Sequence, residues 1–263
     1  MAKTIPSYLS KTSCFFVSFV VKRNCDIYKD RTLTNIPQMT GERLFGFRTV
    51  VFDFDGTLCD SAGDIKKTFI DSAIACGYDA STLCEIPIGP SLAHVLRVGL
   101  GREIDDAAMN TLLAKYRKLY LSSNYSLSPL YPGVLELLQQ LKASGKFIAM
   151  ATNKGKRGTL RMIELKKITH LFDHVFCYDL GGEFWSKERM LHTILTETQT
   201  APENAVFFGD ATTDIAAGRN VDVPTVAALY GYGNIDELMA AGPDFVCSNI
   251  ADLMLSPENK QPV

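Results

Sequence analysis

Residues 50–61 read Val-Val-Phe-Asp-Phe-Asp-Gly-Thr-Leu-Cys-Asp-Ser. The β-branched and aromatic residues at the start predict a buried strand, and the Asp, Gly and Thr that follow predict a turn at its end. Because side chains alternate along a strand, Asp53 and Asp55 are expected to face the same side. For an Asp-x-Asp pair taken alone, a polar strand end without chemistry is the alternative. The rest of the chain has to distinguish the two interpretations.

Composition limits the classes of protein that need to be considered. The chain has 263 residues, a formal net charge of −2, 46% hydrophobic and 21% charged residues, which is typical of a soluble globular protein. No basic stripe with interleaved aromatic residues occurs, so neither nucleic acid nor a membrane surface is expected as a partner. The seven cysteines are odd in number and scattered. They predict reduced thiols in a cytoplasmic protein, not a disulfide framework or a zinc site.

The pattern along the chain changes twice. Residues 1–45 are predicted to be an N-terminal extension, whose apolar run at 14–21 is too short for the roughly 20 residues that span a bilayer. An edge strand, a disordered lead, a targeting segment and a translation start placed too early remain open for it, and Met39 could begin a compact domain by itself. Residues 62–129 contain helical patterns and loops, which predict a small all-helical cap domain.

The remaining segments, 46–61 and 130–255, alternate between strand and helix patterns. This alternation predicts an α/β core domain built on a doubly wound parallel sheet, into which the cap domain is inserted. Residues 256–263 are polar and are expected to form a loose tail.

Polar side chains follow three of the predicted strands, and a lysine begins a predicted helix on the same side. In an open α/β sheet the carboxyl ends of the strands share one edge, where ligands bind. The candidate site residues are Asp53, Asp55, Thr152, Asn153, Lys187, Asp210 and Asp214. Clustered carboxylates repel one another and need a cation, and a donor set of oxygens without His or Cys favours Mg²⁺. A hydroxyl and a lysine suit the oxygens of a phosphoryl group, and a carboxylate can attack phosphorus covalently.

These residues resemble the four motifs of the haloacid dehalogenase superfamily over about residues 47–255. The motifs are Asp53-Phe-Asp55-Gly-Thr57, Thr152, Lys187, and Gly209-Asp210 with Asp214. The return segment 131–134 (Tyr-Pro-Gly-Val) and the loop 229–233 (Leu-Tyr-Gly-Tyr-Gly) are similar to the phosphoglycolate phosphatase-like branch, which carries a small helical cap. The resemblance therefore implies a Rossmann-like core with a cap.

The resemblance also implies roles for the candidate residues. Asp53 is expected to be the nucleophile, and Asp55 the acid that protonates the leaving group and the base that activates water. Asp53, the backbone carbonyl of Asp55, Asp210 and Asp214 are expected to hold Mg²⁺, with Asp214 as a ligand or as an orienting group. Thr152, Asn153 and Lys187 are expected to bind phosphoryl oxygens.

The activity implied is a Mg²⁺-dependent phosphatase that acts on a small phosphorylated metabolite through a phospho-aspartate. Phosphoglycolate, a nucleoside monophosphate and a sugar phosphate are all open as substrates, as are a monomer and a homodimer. The alternatives are a phosphomutase on the same scaffold and a non-catalytic binding or regulatory protein that kept the fold.

Three details around these motifs remain interpretations. Gly89, in the loop 87–90 of the predicted cap, could meet the leaving group of the substrate, or the loop could be a plain helix connector. Lys187 precedes Glu188-Arg189, where much of the family has Lys-Pro. Arg189 is expected to be a solvated side chain rather than a phosphate contact. The lysines at 154 and 156 follow a different strand and are set aside as candidates for the motif lysine.

Overall fold

The computed structural model of the protein describes residues 36–88 and 92–255. The predictions for residues 1–35, for Gly89 and for the tail at 256–263 lie outside these residues. Within them, no helix is both long and apolar enough to cross a membrane. The five cysteines in the described part of the chain are all free thiols.

The centre of the fold is a six-stranded parallel sheet. The strands are β1 (Thr49–Phe52), β2 (Phe147–Thr152), β3 (His174–Cys177), β4 (Ala205–Gly209), β5 (Thr225–Ala228) and β6 (Phe245–Cys247). Their order across the sheet is β3-β2-β1-β4-β5-β6, with every neighbouring pair parallel. Strand β1 is therefore central. Its residue Thr49 pairs with Phe147 on one side and with Ala205 on the other.

Both faces of the sheet are covered, which explains why β1 is apolar at almost every position. All four of its residues are buried. Val50 and Phe52 belong to the larger hydrophobic cluster, whereas Val51 packs with Phe207 in a second cluster. The alternation along β1 thus sends successive side chains to opposite layers. These layers hold the strand end, and therefore the two aspartates, in a fixed position.

Nine α-helices occur among the described residues. They are α1 (Gly41–Leu44), α2 (Ala62–Ala75), α3 (Leu92–Leu100), α4 (Asp106–Ser122), α5 (Val134–Ala143), α6 (Lys156–Leu165), α7 (Lys187–Thr198), α8 (Thr212–Asn220) and α9 (Ile235–Ala240). Helices α2, α3 and α4 follow β1 and precede α5, and α4 packs against α2, α3 and the core helix α6. No strand occurs between β1 and β2 in the part of the chain that the structure describes.

Residues 36–45, which the sequence groups with the N-terminal extension, pack on the sheet. The backbone N–H of Met39 donates to the carbonyl of Val246 (2.8 Å), and that of Val246 donates to the carbonyl of Pro37 (3.1 Å), beside the edge strand β6. Met39 and Leu44 are buried in the core. The compact part of the chain therefore begins before residue 46, because this segment covers a sheet edge that would otherwise be open.

Two short helices, α1 and α9, are absent from the sequence-based prediction. Each begins at a polar cap: the side chain of Thr40 accepts from the N–H of Arg43 (3.3 Å), and that of Asn234 accepts from the N–H of Glu237 (3.1 Å). Four and six residues are too few for an amphipathic period to stand out. The capping residues Thr40 and Asn234 were the only features of the sequence that could have indicated these two helices.

Candidate active site

The chain leaves β1 through a tight turn that carries both aspartates. The N–H of Asp53 donates to the carbonyl of Phe208 on β4 (2.8 Å), so the sheet pattern continues one residue past the strand. Gly56 then adopts a φ of 82°, and its N–H donates to the carbonyl of Cys59 (2.9 Å). A left-handed conformation of this kind favours glycine. The turn leaves Asp53 buried and Asp55 partly exposed.

Three buried carboxylates converge at this point. Asp53, Asp210 and Asp214 each offer an oxygen, and these oxygens lie within 4.8 Å of one another. Asp210 follows β4, and Asp214 lies in the first turn of α8. The Oδ1 atom of Asp53 is buried without a hydrogen-bond partner among the described residues. An unpaired buried carboxylate oxygen is costly, and a divalent cation with a preference for oxygen ligands would satisfy it.

The electrostatics of the cluster support the need for a cation. Burial raises the pKa of Asp53 from 3.8 to about 6, against the opposing effect of the Lys187 ammonium. Burial and the neighbouring carboxylates of Asp53 and Asp214 raise the pKa of Asp210 from 3.8 to about 8. These carboxylates are therefore under-compensated near neutral pH, since one ammonium faces three acids.

That ammonium is Lys187, the first residue of α7. Its Nζ lies 3.1 Å from Oδ2 of Asp53 and also contacts Oδ1 of Asp214. The hydroxyl of Ser186 caps the helix by accepting from the N–H of Arg189 (3.3 Å). Burial lowers the pKa of Lys187, but the two carboxylates outweigh it and hold the pKa above its ordinary value. Lys187 thus carries its positive charge into the site.

The loops around Asp210 leave no room for side chains at two glycines. A Cβ atom on Gly56 would overlap with Oδ2 of Asp210, and one on Gly231 would overlap with Cβ of Asp210. The N–H of Tyr232 donates to Oδ2 of Asp210 (2.7 Å). The loop at 229–233, singled out in the sequence, is therefore packed directly on this carboxylate.

Thr152 and Asn153 lie at the end of β2, the neighbour of β1. Thr152 is buried, and its hydroxyl accepts from the backbone N–H of Lys154 (3.2 Å). Asn153 is exposed. The register pairs Phe52 with Met150, which places Thr152 one strand away from the Asp53 turn. All seven candidate residues therefore lie at one edge of the sheet, and the contacts above join Asp53, Lys187, Asp210 and Asp214 into one group.

One further residue lies in the site, Lys154, which is not among the candidates predicted from the sequence. The ammonium of Lys154 lies 3.0 Å from each carboxylate oxygen of Asp55 and 2.6 Å from the hydroxyl of Tyr120. Lys187, not Lys154, contacts Asp53. The contact between Lys154 and Asp55 was missed in the prediction from the sequence. Since β2 adjoins β1, the loop after β2 faces the Asp55 turn, and this adjacency was the signal available in the sequence order.

The sequence of the chain is similar to those of several known proteins. The sequence profile described as haloacid dehalogenase-like hydrolase matches residues 50–228. A phosphoglycolate phosphatase of Vibrio parahaemolyticus is 28% identical over 221 residues, which cover 79% of this chain and 94% of that protein. The tyrosine-protein kinase PtkA of Mycobacterium tuberculosis is 29% identical over 190 residues, which cover 71% of this chain and 64% of that protein.

Solved structures share the architecture. A predicted phosphoglycolate phosphatase from Haemophilus somnus superposes with a TM-score of 0.70 at 22% sequence identity, covering 79% of this chain and 96% of that chain. A similarity at this level of identity concerns the fold. It confirms the predicted α/β class with a doubly wound parallel sheet.

Proposed function

The chain belongs to the haloacid dehalogenase-like hydrolase family, and from this premise we propose that it is a Mg²⁺-dependent phosphatase for a small phosphorylated metabolite. The predicted family and fold class are confirmed. The predicted enzyme class, a phosphoric monoester hydrolase, is confirmed as well, because the relatives that match nearly along their whole length are phosphoglycolate phosphatases. The cofactor, the residue roles and the substrate are parts of the proposal.

The observation that carries the proposal is the position of Asp53. Its carboxylate lies beside two further carboxylates and the Lys187 ammonium, and its Oδ1 atom has no partner among the described residues. A merely structural buried acid is expected to have its oxygens satisfied. An acid with one oxygen held by lysine and the other unpaired is suited to hold a metal ion and to attack an electrophile.

Asp53, Asp210, the backbone carbonyl of Asp55 and, as ligand or orienting group, Asp214 would hold Mg²⁺ in this proposal. When bound, the ion neutralises negative charge on the phosphoryl oxygens. Lys187 and Thr152 bind phosphoryl oxygens from the other strands of the same edge. Asn153, which is exposed beside Thr152, contributes from the rim of the site.

The reaction proceeds in two steps. An oxygen of Asp53 attacks phosphorus, and the bond between phosphorus and the leaving oxygen breaks with its electron pair on that oxygen, which takes a proton from Asp55. Water then attacks phosphorus in the phospho-aspartate while the Asp55 carboxylate takes its proton. Inorganic phosphate leaves, and Asp53 is regenerated as a carboxylate.

The proposed substrate class is supported by the inserted helices and by the relatives. Helices α2–α4 lie between β1 and the rest of the core in sequence, and α4 packs on α6 beside the site. We assign residues 62–129 as a cap that restricts access to small substrates. Phosphoglycolate, named for several relatives, is the first candidate to test.

The test is a phosphate-release screen over small phosphorylated metabolites, with Mg²⁺ and with EDTA, run on the wild type and on Asp53→Asn. We expect phosphate release that requires Mg²⁺ and that falls by about 10⁴-fold or more in Asp53→Asn, because a nucleophile acts as part of a unit. Activity that survives this substitution would refute the assigned nucleophile. ATP with a tyrosine peptide belongs in the panel, and phosphoryl transfer to the peptide without phosphate release would contradict the hydrolase proposal.

A further inference from the structure

The carboxylate of Asp55 is held by a chain of contacts that reaches into the inserted helices. The Lys154 ammonium lies 3.0 Å from both oxygens of Asp55. It also lies 2.6 Å from the hydroxyl oxygen of Tyr120, on α4. The side chains of Lys154 and Tyr120 are both more than nine-tenths buried. A core acid, a core lysine and a tyrosine from the insert thus form one line.

The hydrogen-bond capacity of each group fixes the direction of this line. A lysine ammonium has three N–H donors and no acceptor. Two of them serve Asp55, so the third is donated to the Tyr120 oxygen. The Tyr120 hydroxyl in turn donates to the sulfur of Met162 (3.4 Å). The ammonium therefore has no donor left for a phosphoryl or substrate oxygen while this arrangement persists.

Packing holds Tyr120 in place. Its ring stacks on Tyr116 (centroids 5.5 Å apart) and touches Tyr125 (5.1 Å). A Cβ on Gly158 of α6 would lie 3.4 Å from Tyr120, so the tyrosine sits directly against the core helix. The ring also lies 4.7 Å from the Lys154 nitrogen, which adds a cation–π attraction.

We propose that Lys154 and Tyr120 are positioning residues, which hold the Asp55 carboxylate in the geometry needed for proton transfer and tie that geometry to the packing of α4 on the core. The proposal rests on the function proposed above, in which Asp55 is acid and base. It assigns no contact between either residue and the substrate. Without the line, Asp55 samples other side-chain conformations and transfers protons more slowly, whereas Asp53 keeps its own contacts and still attacks phosphorus.

Because the proposal slows proton transfer by Asp55 but not attack by Asp53, the two can be measured separately. A general loss of structure would slow both. The donors para-nitrophenyl phosphate and acetyl phosphate have leaving groups that depart without a proton, whereas the alkoxide of benzyl phosphate requires one. In Tyr120→Phe and Lys154→Met, formation of the phospho-aspartate from the first two donors should stay within about twofold of the wild type. Its hydrolysis should slow, because the water needs a base, and phosphorylated protein should accumulate in intact-mass spectra.

Turnover of benzyl phosphate, or of the best alkyl phosphate from the screen, should fall about tenfold in Tyr120→Phe and about 100-fold in Lys154→Met, since proton transfer contributes 10²–10⁴-fold. KM should change less than about twofold, because neither side chain binds substrate. Lys154→Arg keeps the charge and several donors and should recover part of the rate. The matched control is Tyr125→Phe, which removes a buried hydroxyl that has no partner among the described residues and should leave all rates unchanged.

The outcomes separate the two proposals. If the wild type releases phosphate from no donor, the proposed function fails. If the wild type is active but formation of the phospho-aspartate from para-nitrophenyl phosphate slows as much as its hydrolysis in Tyr120→Phe, the positioning role is overturned. A raised KM with unchanged kcat in Lys154→Met also overturns it, and makes Lys154 a substrate ligand. Tyr120→Phe, which removes only a hydroxyl, decides the matter even if Lys154→Met does not fold.

Discussion

Two buried lysines serve the two aspartates of the first turn, and they are held in different ways. Lys187 contacts Asp53 and Asp214, and all three belong to the sheet and its flanking helices. Lys154 contacts Asp55 from the core but also Tyr120 from the inserted helix α4. The Asp53 side of the site is therefore built from the core alone. The Asp55 side depends on how the inserted helices pack.

Because of this difference, substitutions on the two sides are expected to have different effects. The acidic cluster around Lys187 has three carboxylates and one ammonium, so its residues are expected to cost stability unless the proposed Mg²⁺ is bound. The Asp55–Lys154–Tyr120 line is electrically balanced and satisfied. Substitutions in the cluster around Lys187 are expected to lower activity and raise stability. Substitutions of Lys154 or Tyr120 are expected to slow individual steps of the reaction.

After that of Asp53→Asn, the largest expected effect is that of Asp210→Asn. The substitution removes a ligand of the proposed Mg²⁺ site, so phosphate release should fall by about 1,000-fold or more. It also removes a carboxylate whose pKa is raised to about 8 by burial and by two neighbouring acids. The metal-free variant should therefore be more stable than the metal-free wild type, as measured by thermal unfolding in EDTA.

The pH dependence of this gain follows from the sign of the pKa shift. Between about pH 4 and pH 8 the folded wild type binds protons at Asp210 that the unfolded chain has released, so its unfolding free energy falls as pH rises. The amide that replaces this carboxyl group in Asp210→Asn does not titrate, and the gain in stability should grow over the same range. Mg²⁺ should stabilise the wild type more than the variant. If the variant is less stable than the wild type at pH 8 in EDTA, the buried Asp210 carboxylate does not destabilise the metal-free protein as expected.

The Asp53 side of the site could be predicted from the sequence more fully than the Asp55 side. Asp53, Thr152 and Asp210 each come at or directly after the end of an apolar strand, and Lys187 begins a helix, so strand order alone brings them to one edge. Lys154 also follows a strand, yet its partner Tyr120 lies on α4, and no period in the sequence shows which turn of that helix meets the core. An edge strand was one of the alternatives left open for residues 1–45, but the sequence could not show that residues 36–45 pack beside Val246, about 200 residues away.

A smaller effect is expected from Gly56→Ala, which tests the closeness of the Asp53 turn to Asp210. The new Cβ would overlap with Oδ2 of Asp210, and the backbone there has a φ of 82°. Backbone strain alone costs about 1 kcal/mol, and displacement of Asp210 should in addition weaken Mg²⁺ binding and lower kcat/KM about tenfold or more. Denaturant unfolding and Mg²⁺ titration of activity measure the two parts.

Gly77→Ala is the matched control for this substitution. Gly77 has a φ of 87°, close to that of Gly56, but nothing among the described residues lies within 4 Å of the place that a Cβ atom would take. It should lose a similar amount of stability from the backbone and keep the Mg²⁺ dependence of the wild type. Equal losses of activity in both variants would show that the Gly56 contact with Asp210 has no special importance.

The smallest effect is expected from Arg189→Ala, two residues after Lys187 on α7. Residues two apart on a helix face different directions, so the burial of Lys187 in the site turns Arg189 away from it. Its guanidinium pairs with Glu183 (2.9 Å) and lies 4.0 Å from the centre of the Trp185 ring, with half of the side chain exposed. Such surface contacts contribute about 1 kcal/mol or less. We therefore expect kcat/KM within about twofold of the wild type and a small drop in melting temperature.

The same assay distinguishes this arginine from a phosphate ligand. A ligand of the phosphoryl group would raise KM when removed and lose its effect at saturating substrate, whereas removal of a solvated arginine changes neither parameter. Trp185→Phe keeps an aromatic ring under the guanidinium and serves as the control. A tenfold rise in KM in Arg189→Ala, with KM unchanged in Trp185→Phe, would show that Arg189 binds the phosphoryl group. The cluster of Asp53, Asp210 and Asp214 would then face two cationic side chains in place of one. Its need for a divalent metal would be correspondingly weaker.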